Sequence, residues 1–185
     1  MAVGPLTNIA HVLQRDPGVA GEIAGISIMG GGTFGNATPA AEFNIWADPE
    51  AADVVFRSGA RIRLCGLDLT HQVCADGEFI ASLEDVGSPI GDFTAALLDH
   101  YAQRILELTG EDLAALHDPC AVLAVTNPEL FAFGAHLVRV ELDGRHTRGM
   151  TVIDNRIRNT GDVEVAWEAD AEQLLALIHD AVASA

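Results

Sequence analysis

The sequence contains no lysine: its 10 basic residues are all arginine, set against 27 aspartates and glutamates for a formal net charge of -17. Such a surface repels phosphate backbones and anionic lipid, which argues against nucleic acid and membrane partners. Acidity of this degree serves solubility first and a cation site only second. No apolar run approaches the roughly 18 residues that a membrane helix needs. No charged stretch followed by an apolar one marks a secretory leader. Cys65, Cys74 and Cys120 are odd in number and form no CxxC pair. A disulfide framework or a cysteine-built zinc site is therefore not expected, and a reducing, cytoplasmic location is. HExxH, GxSxG and P-loop sequences are also missing.

Against these absences stands a hydrophobic content of 49% in 185 residues, enough for one domain with a sizeable core. The organising stretch is 25–50. The apolar run Ile26-Ser27-Ile28-Met29, bounded by glycines, reads as a buried strand of a parallel sheet. Gly30, Gly31 and Gly32 then let the backbone turn tightly and approach a ligand. Asn36, Glu42 and Asn44 follow in a loop with Pro39, and all three can bind hydroxyls. Ligands of open α/β sheets bind outside the carboxyl ends of the strands, where this loop falls. The glycines also fit GxGxxG over 30–35, but no helix opens there and Asp53 lies inside a later helical pattern, so a dinucleotide site is disfavoured.

Helices are expected from Leu6 to Asp16, from Pro49 to Phe56 behind an Asp48 cap, and over Pro89–Leu108. Further helices are expected over Cys120–Val125 behind Asp118-Pro119 and over Ala171–Val182. Strands are expected over Arg61–Leu69 and Val163–Trp167, with Thr70 capping a short helical turn at His71–Cys74. Leu137–Leu142 and Thr147–Ile153 flank Asp143-Gly144, a hairpin signal. The order implies an α/β fold with an antiparallel piece near the C-terminus, and with no strand before the first helix. Asp68 and Asp154 end strands and are candidates for a site, though such residues more often cap or turn. His117-Asp118 combines an imidazole titrating near neutrality, able to deliver a proton, with a carboxylate for a hard cation. The plainer reading makes Asp118 a helix cap.

Taken together the residues resemble the inosine-uridine preferring nucleoside hydrolases. The likeness rests on GPLTNIA (4–10), IMGGG (28–32), GN (35–36), AEFNIWADPEAA (41–52), GLDLTH (66–71), HDPCAV (117–122) and RGMTV (148–152), in the family's order. The resemblance implies a nucleoside-hydrolase-like, mostly parallel sheet flanked by helices, and cleavage of a ribonucleoside to base and ribose. By resemblance Asn36, Glu42 and Asn44 hold the ribose hydroxyls, Met29 lines the sugar pocket, and His117 protonates the leaving base. Asp118 binds both the ribose and Ca²⁺, the backbone carbonyl of Val3 is a further metal ligand, and Tyr101 lies on the helix that closes over the base. The sequence departs from the family in one respect. It has no DxD and no adjacent aspartates, whereas the family's DxDxxxDD cluster supplies most calcium ligands and the base that activates water. The expectation is a single domain over 1–185 that represents the C-terminal part of the fold and lacks its first strands. Its exposed sheet edge would favour self-association or pairing with another chain.

Overall fold

The computed structural model describes residues 1–110, 114–156 and 161–185. Helix α1 (Thr7–Arg15) buries Ala10 and Leu13, while the short α2 (Val19–Glu22) leads into strand β1 (Ile26–Met29), buried at all four residues. Helix α3 (Phe43–Ala47) starts where Glu42 accepts from the Ile45 N–H, and α4 (Pro49–Phe56) where Asp48 accepts from Ala51. Asp48 also accepts from the Thr7 hydroxyl, tying α4 to α1. Strand β2 (Ile62–Cys65) passes through Gly66 into α5 (Leu67–Thr70), followed by β3 (Cys74–Ala75), α6 (Gly77–Glu84) and the long α7 (Pro89–Thr109). Strand β4 (Ala114–Ala115) pairs with β3 and leads into α8 (His117–Thr126). The chain ends with β5 (Phe131–Val140), β6 (Thr151–Asp154), β7 (Val163–Ala169) and α9 (Ala171–Ala183).

The main sheet runs β1-β2-β7-β5-β6, with β1, β2 and β7 pairing in parallel and β5 antiparallel to both β7 and β6. This is the expected mixed sheet. On its other side β1 is met, among the described residues, by Ala2 alone. The Ala2 N–H donates to Ser27 O (2.8 Å), and its carbonyl accepts from Met29 N (2.9 Å). That bridge sets Val3 beside the carboxyl end of β1. One face of the sheet packs on α1 and α4 through Leu6, Ile45, Phe56 and Leu64; the other packs on α5, α8 and α9 through Leu67, Leu69, Ala121 and Leu174. No helix among the described residues is long and apolar enough to cross a membrane.

Several local expectations are corrected. The strand expected over Arg61–Leu69 stops at Cys65, because Leu67 N donates to Gly31 O (2.9 Å) instead of continuing the ladder. Thr70 ends a helix rather than capping one at His71–Cys74. Asp118 is not a cap: α8 begins at His117, with Leu116 in the capping position and no side-chain bond there. The hairpin is real, but Asp143-Gly144 is not a two-residue turn. Glu141 Oε1 accepts from both their N–H groups (2.9 and 3.0 Å), and the connection runs from Glu141 to Met150.

Candidate functional site

A candidate cleft lies where the turns after β1 and β2 meet. Gly66 lies so close to the first turn that a Cβ there would come within 3.1 Å of Gly31 O. Gly31 has φ +67 and faces Thr151, whose hydroxyl a Cβ would approach to 2.4 Å, so only glycine fits. Further on, a side chain at Gly35 would strike the backbone of Thr38 and Ala41 at 2.2 Å. The loop is thus pressed flat against its own return segment. Asp68, first proposed as a strand-end site residue, anchors this loop by accepting from the Thr33 N–H (2.8 Å) and hydroxyl. Asp154 is engaged elsewhere, paired with Arg156 at 2.6 Å.

Glu42 is the best-defined side chain of the cleft. It is 3% exposed, and its Oε2 accepts from Gly31 N (2.9 Å) and Ile45 N (3.1 Å). Burial raises its pKa against three backbone N–H groups that lower it, and the Asp118 charge adds to the rise. Asn44, also buried, donates through Nδ2 to Met29 O (3.1 Å) and contacts Met29 Sδ (3.4 Å), so strand end and loop are locked together. Asn36 is exposed, and its Oδ1 accepts from Phe43 N (2.9 Å).

His117 and Asp118 enter from the start of α8, which lies along β1 and β2 and is fixed there by Ser27 Oγ donating to Ala121 O (2.7 Å). The His117 ring has Nδ1 2.8 Å from the Thr70 hydroxyl, and it lies 5.7 Å from the His71 ring, which in turn meets Phe34 edge-on at 5.3 Å. Burial, then the neighbouring His71, push the His117 pKa down to about 4. The expected titration near neutrality is therefore corrected: the ring is neutral at pH 7. Asp118 is exposed, with a pKa raised by desolvation. Tyr101 on α7 is half-buried against the core, with its phenol pushed up by burial and then by Cys74 and Asp118. Thr70 and His71 as neighbours of His117, and Phe34 behind His71, carry no signal in the sequence. Only the fold brings the end of α5 to the start of α8.

A pH dependence follows from His117. Its unfolded ring takes up a proton near 6.5, the folded one only near 4. Its contribution to stability is thus fully present above pH 6.5 and lost as pH falls towards 4. Between pH 7 and pH 5 the loss is about 2 kcal/mol. Urea midpoints at the two pH values should show this slope in the parent protein and lose it in His117→Asn.

A buried carboxylate and a buried amide beside glycines, at the carboxyl end of parallel strands, mark a candidate site for a polar small molecule in an α/β protein. Comparison with known proteins narrows this. The family model of the inosine-uridine preferring nucleoside hydrolases matches residues 1–176, and the chain belongs to that family. It is 46% identical over 156 residues to the pyrimidine-specific ribonucleoside hydrolase RihA of Shewanella woodyi, covering 82% of this chain and 49% of the relative. It is 41% identical over 182 residues to RihA of Klebsiella pneumoniae, covering 94% and 58% respectively. The purine-preferring ribonucleoside hydrolase of Gardnerella vaginalis superposes with a TM-score of 0.90 at 33% identity, over 98% of this chain and 60% of that one. A plant nucleoside hydrolase gives the same TM-score at 34% identity, over 99% and 61%. The chain spans about half the length of the curated relatives it matches.

Proposed function

We propose that these residues form the sugar-holding and leaving-group part of a nucleoside N-ribohydrolase, which cleaves purine or pyrimidine ribonucleosides to base and ribose. The observation that carries this reading is the Glu42–Asn44 pair, buried and pinned to Gly31 and Met29 at the end of β1. Breaking a ribosyl C–N bond builds positive charge on the sugar and negative charge on the departing base. Glu42 Oε1, whose partner oxygen is already engaged, offers a carboxylate to a ribose hydroxyl, and Asn36 and Asn44 offer amides. Holding the ribose in this way turns remote binding into orientation at the anomeric carbon. Met29 walls the sugar, Tyr101 faces the base, and Asp118 reaches the ribose from the other side. His117 stands for the leaving base. Because the ring is neutral at pH 7, its role begins as a hydrogen-bond donor rather than as an imidazolium.

The family's reaction implies a resident Ca²⁺, and the residues present do not fit it. Ca²⁺ takes about six to eight oxygen ligands. Asp118 and the Val3 carbonyl are two, and among the described residues no three histidine, cysteine, aspartate or glutamate side chains converge as a metal site. Turnover on this reading requires carboxylates from outside residues 1–185, through another chain, a further copy or a further segment. The same shortage favours a second reading, a non-catalytic subunit that has lost the site. Three unpaired cysteines, two of them buried, agree with a cytoplasmic location.

Calorimetry separates the two. The hydrolase reading expects uptake of ribose and of uridine or inosine by the parent protein, lost in Asn44→Ala. The subunit reading expects no heat from any of them, and affinity unchanged by Asn44→Ala would refute the assignment of this cleft.

A further inference from the structure

We propose that Thr70 is a positioning residue that fixes His117 as the tautomer protonated on Nε2, so that an N–H donor faces the cleft. The functional meaning of this step rests on the nucleoside reading above; the tautomer itself does not.

Thr70 is fully buried, at 0% exposure, at the end of α5. A threonine in a helix commonly returns its hydroxyl to a carbonyl one turn back. Here the carbonyls of Gly66 and Leu67 accept backbone N–H groups, from Thr70 (3.0 Å) and His71 (3.1 Å). Among the described residues the partner of the hydroxyl is His117 Nδ1, at 2.8 Å. That decides the direction of the bond. Were Nδ1 the donor, the buried Thr70 O–H would be left with no acceptor, at a desolvation cost of about 1–3 kcal/mol. The hydroxyl therefore donates, Nδ1 accepts, and the single proton of the neutral ring sits on Nε2.

Nε2 has no partner among the described residues, nor is it among the buried polar atoms left without one, so it is open to solvent. The ring is held on a second side by His71, itself backed by Phe34. Rotation that would exchange the two nitrogens is resisted by both contacts. Thr70 thus performs for His117 what a carboxylate or carbonyl partner performs for many functional imidazoles: it selects the tautomer through the far nitrogen. The opposite choice would present a bare lone pair to a departing base that needs a donor.

The test is nitrogen NMR of the imidazoles at pH 7.5 in the parent protein, Thr70→Ser and Thr70→Val, with amide spectra to verify folding. The parent should show His117 with Nε2 protonated and Nδ1 as an unprotonated, hydrogen-bonded acceptor. Thr70→Ser should preserve both signals, and Thr70→Val should shift the Nδ1 signal as its partner is lost and the tautomers exchange. A parent spectrum with Nδ1 protonated would overturn the proposal, whether or not the variants fold. Signals unchanged in a folded Thr70→Val would do the same. Ribose calorimetry on the same samples keeps the readings apart: no binding in the parent counts against the nucleoside site, while the nitrogen spectra still decide the role of Thr70.

Discussion

Glu42→Ala is expected to abolish measurable ribose binding and to lower stability by about 2 kcal/mol, whereas Glu42→Gln should lose binding but keep most of the stability. The two effects have separate sources. Oε2 closes the turn after β1 by accepting from Gly31 N and Ile45 N, and it begins α3. Alanine leaves both N–H groups without that partner, and a lost cap and an unpaired buried donor cost about 1–3 kcal/mol each. Part of this is returned, because a carboxylate that burial already disfavours is removed with it. Glutamine retains an oxygen for the same two donors. What glutamine lacks is the negative charge, and a hydrogen bond to a charged acceptor contributes about 1.5–3 kcal/mol, or roughly 10- to 100-fold in affinity. Urea midpoints and ribose calorimetry on the two variants read the effects independently. Equal destabilisation by both would show that the cap needs the charge and would remove the distinction.

The second large effect concerns the metal. Calcium added to the isolated protein is expected to leave its melting temperature unchanged, since ligand binding to the folded state raises apparent stability only in proportion to its affinity. An exposed Asp118 and one backbone carbonyl make a weak pair of ligands, and desolvation raises the pKa of Asp118. The net charge of -17 does not replace a cage: the acidic residues are spread over the surface, and among the described residues none gather into a metal-sized group.

How much of this was readable beforehand depends on the range of the interactions. Local signals mark the elements that carry them: Asp48-Pro49 starts α4, Pro89 starts α7, and the apolar run with its glycines gives β1. The loop residues of 30–44 are legible as polar groups beside glycines; Glu42 and Asn44 meet at the end of β1, while exposed Asn36 bonds only Phe43 N within the loop. Signals failed where a long-range bond overrides local preference. The apolar pattern of Arg61–Leu69 suits a strand throughout, but the pairing of Leu67 N with Gly31 O, 36 positions away in sequence, turns the second half into α5. Asp118-Pro119 follows the local rule for a cap and first position, yet α8 starts two residues earlier, at His117, whose ring meets Thr70, 47 positions away. The depressed basicity of His117 was beyond sequence for the same reason, being a product of burial and of His71.

On the proposed reading these residues hold a ribose and present an imidazole to its base, but lack the anionic oxygen to bind a cation and activate water. Its most direct test is hydrolysis of a nitrophenyl riboside by the purified protein with calcium present. Release no faster than in buffer is expected. Turnover well above buffer that His117→Ala abolishes would contradict it.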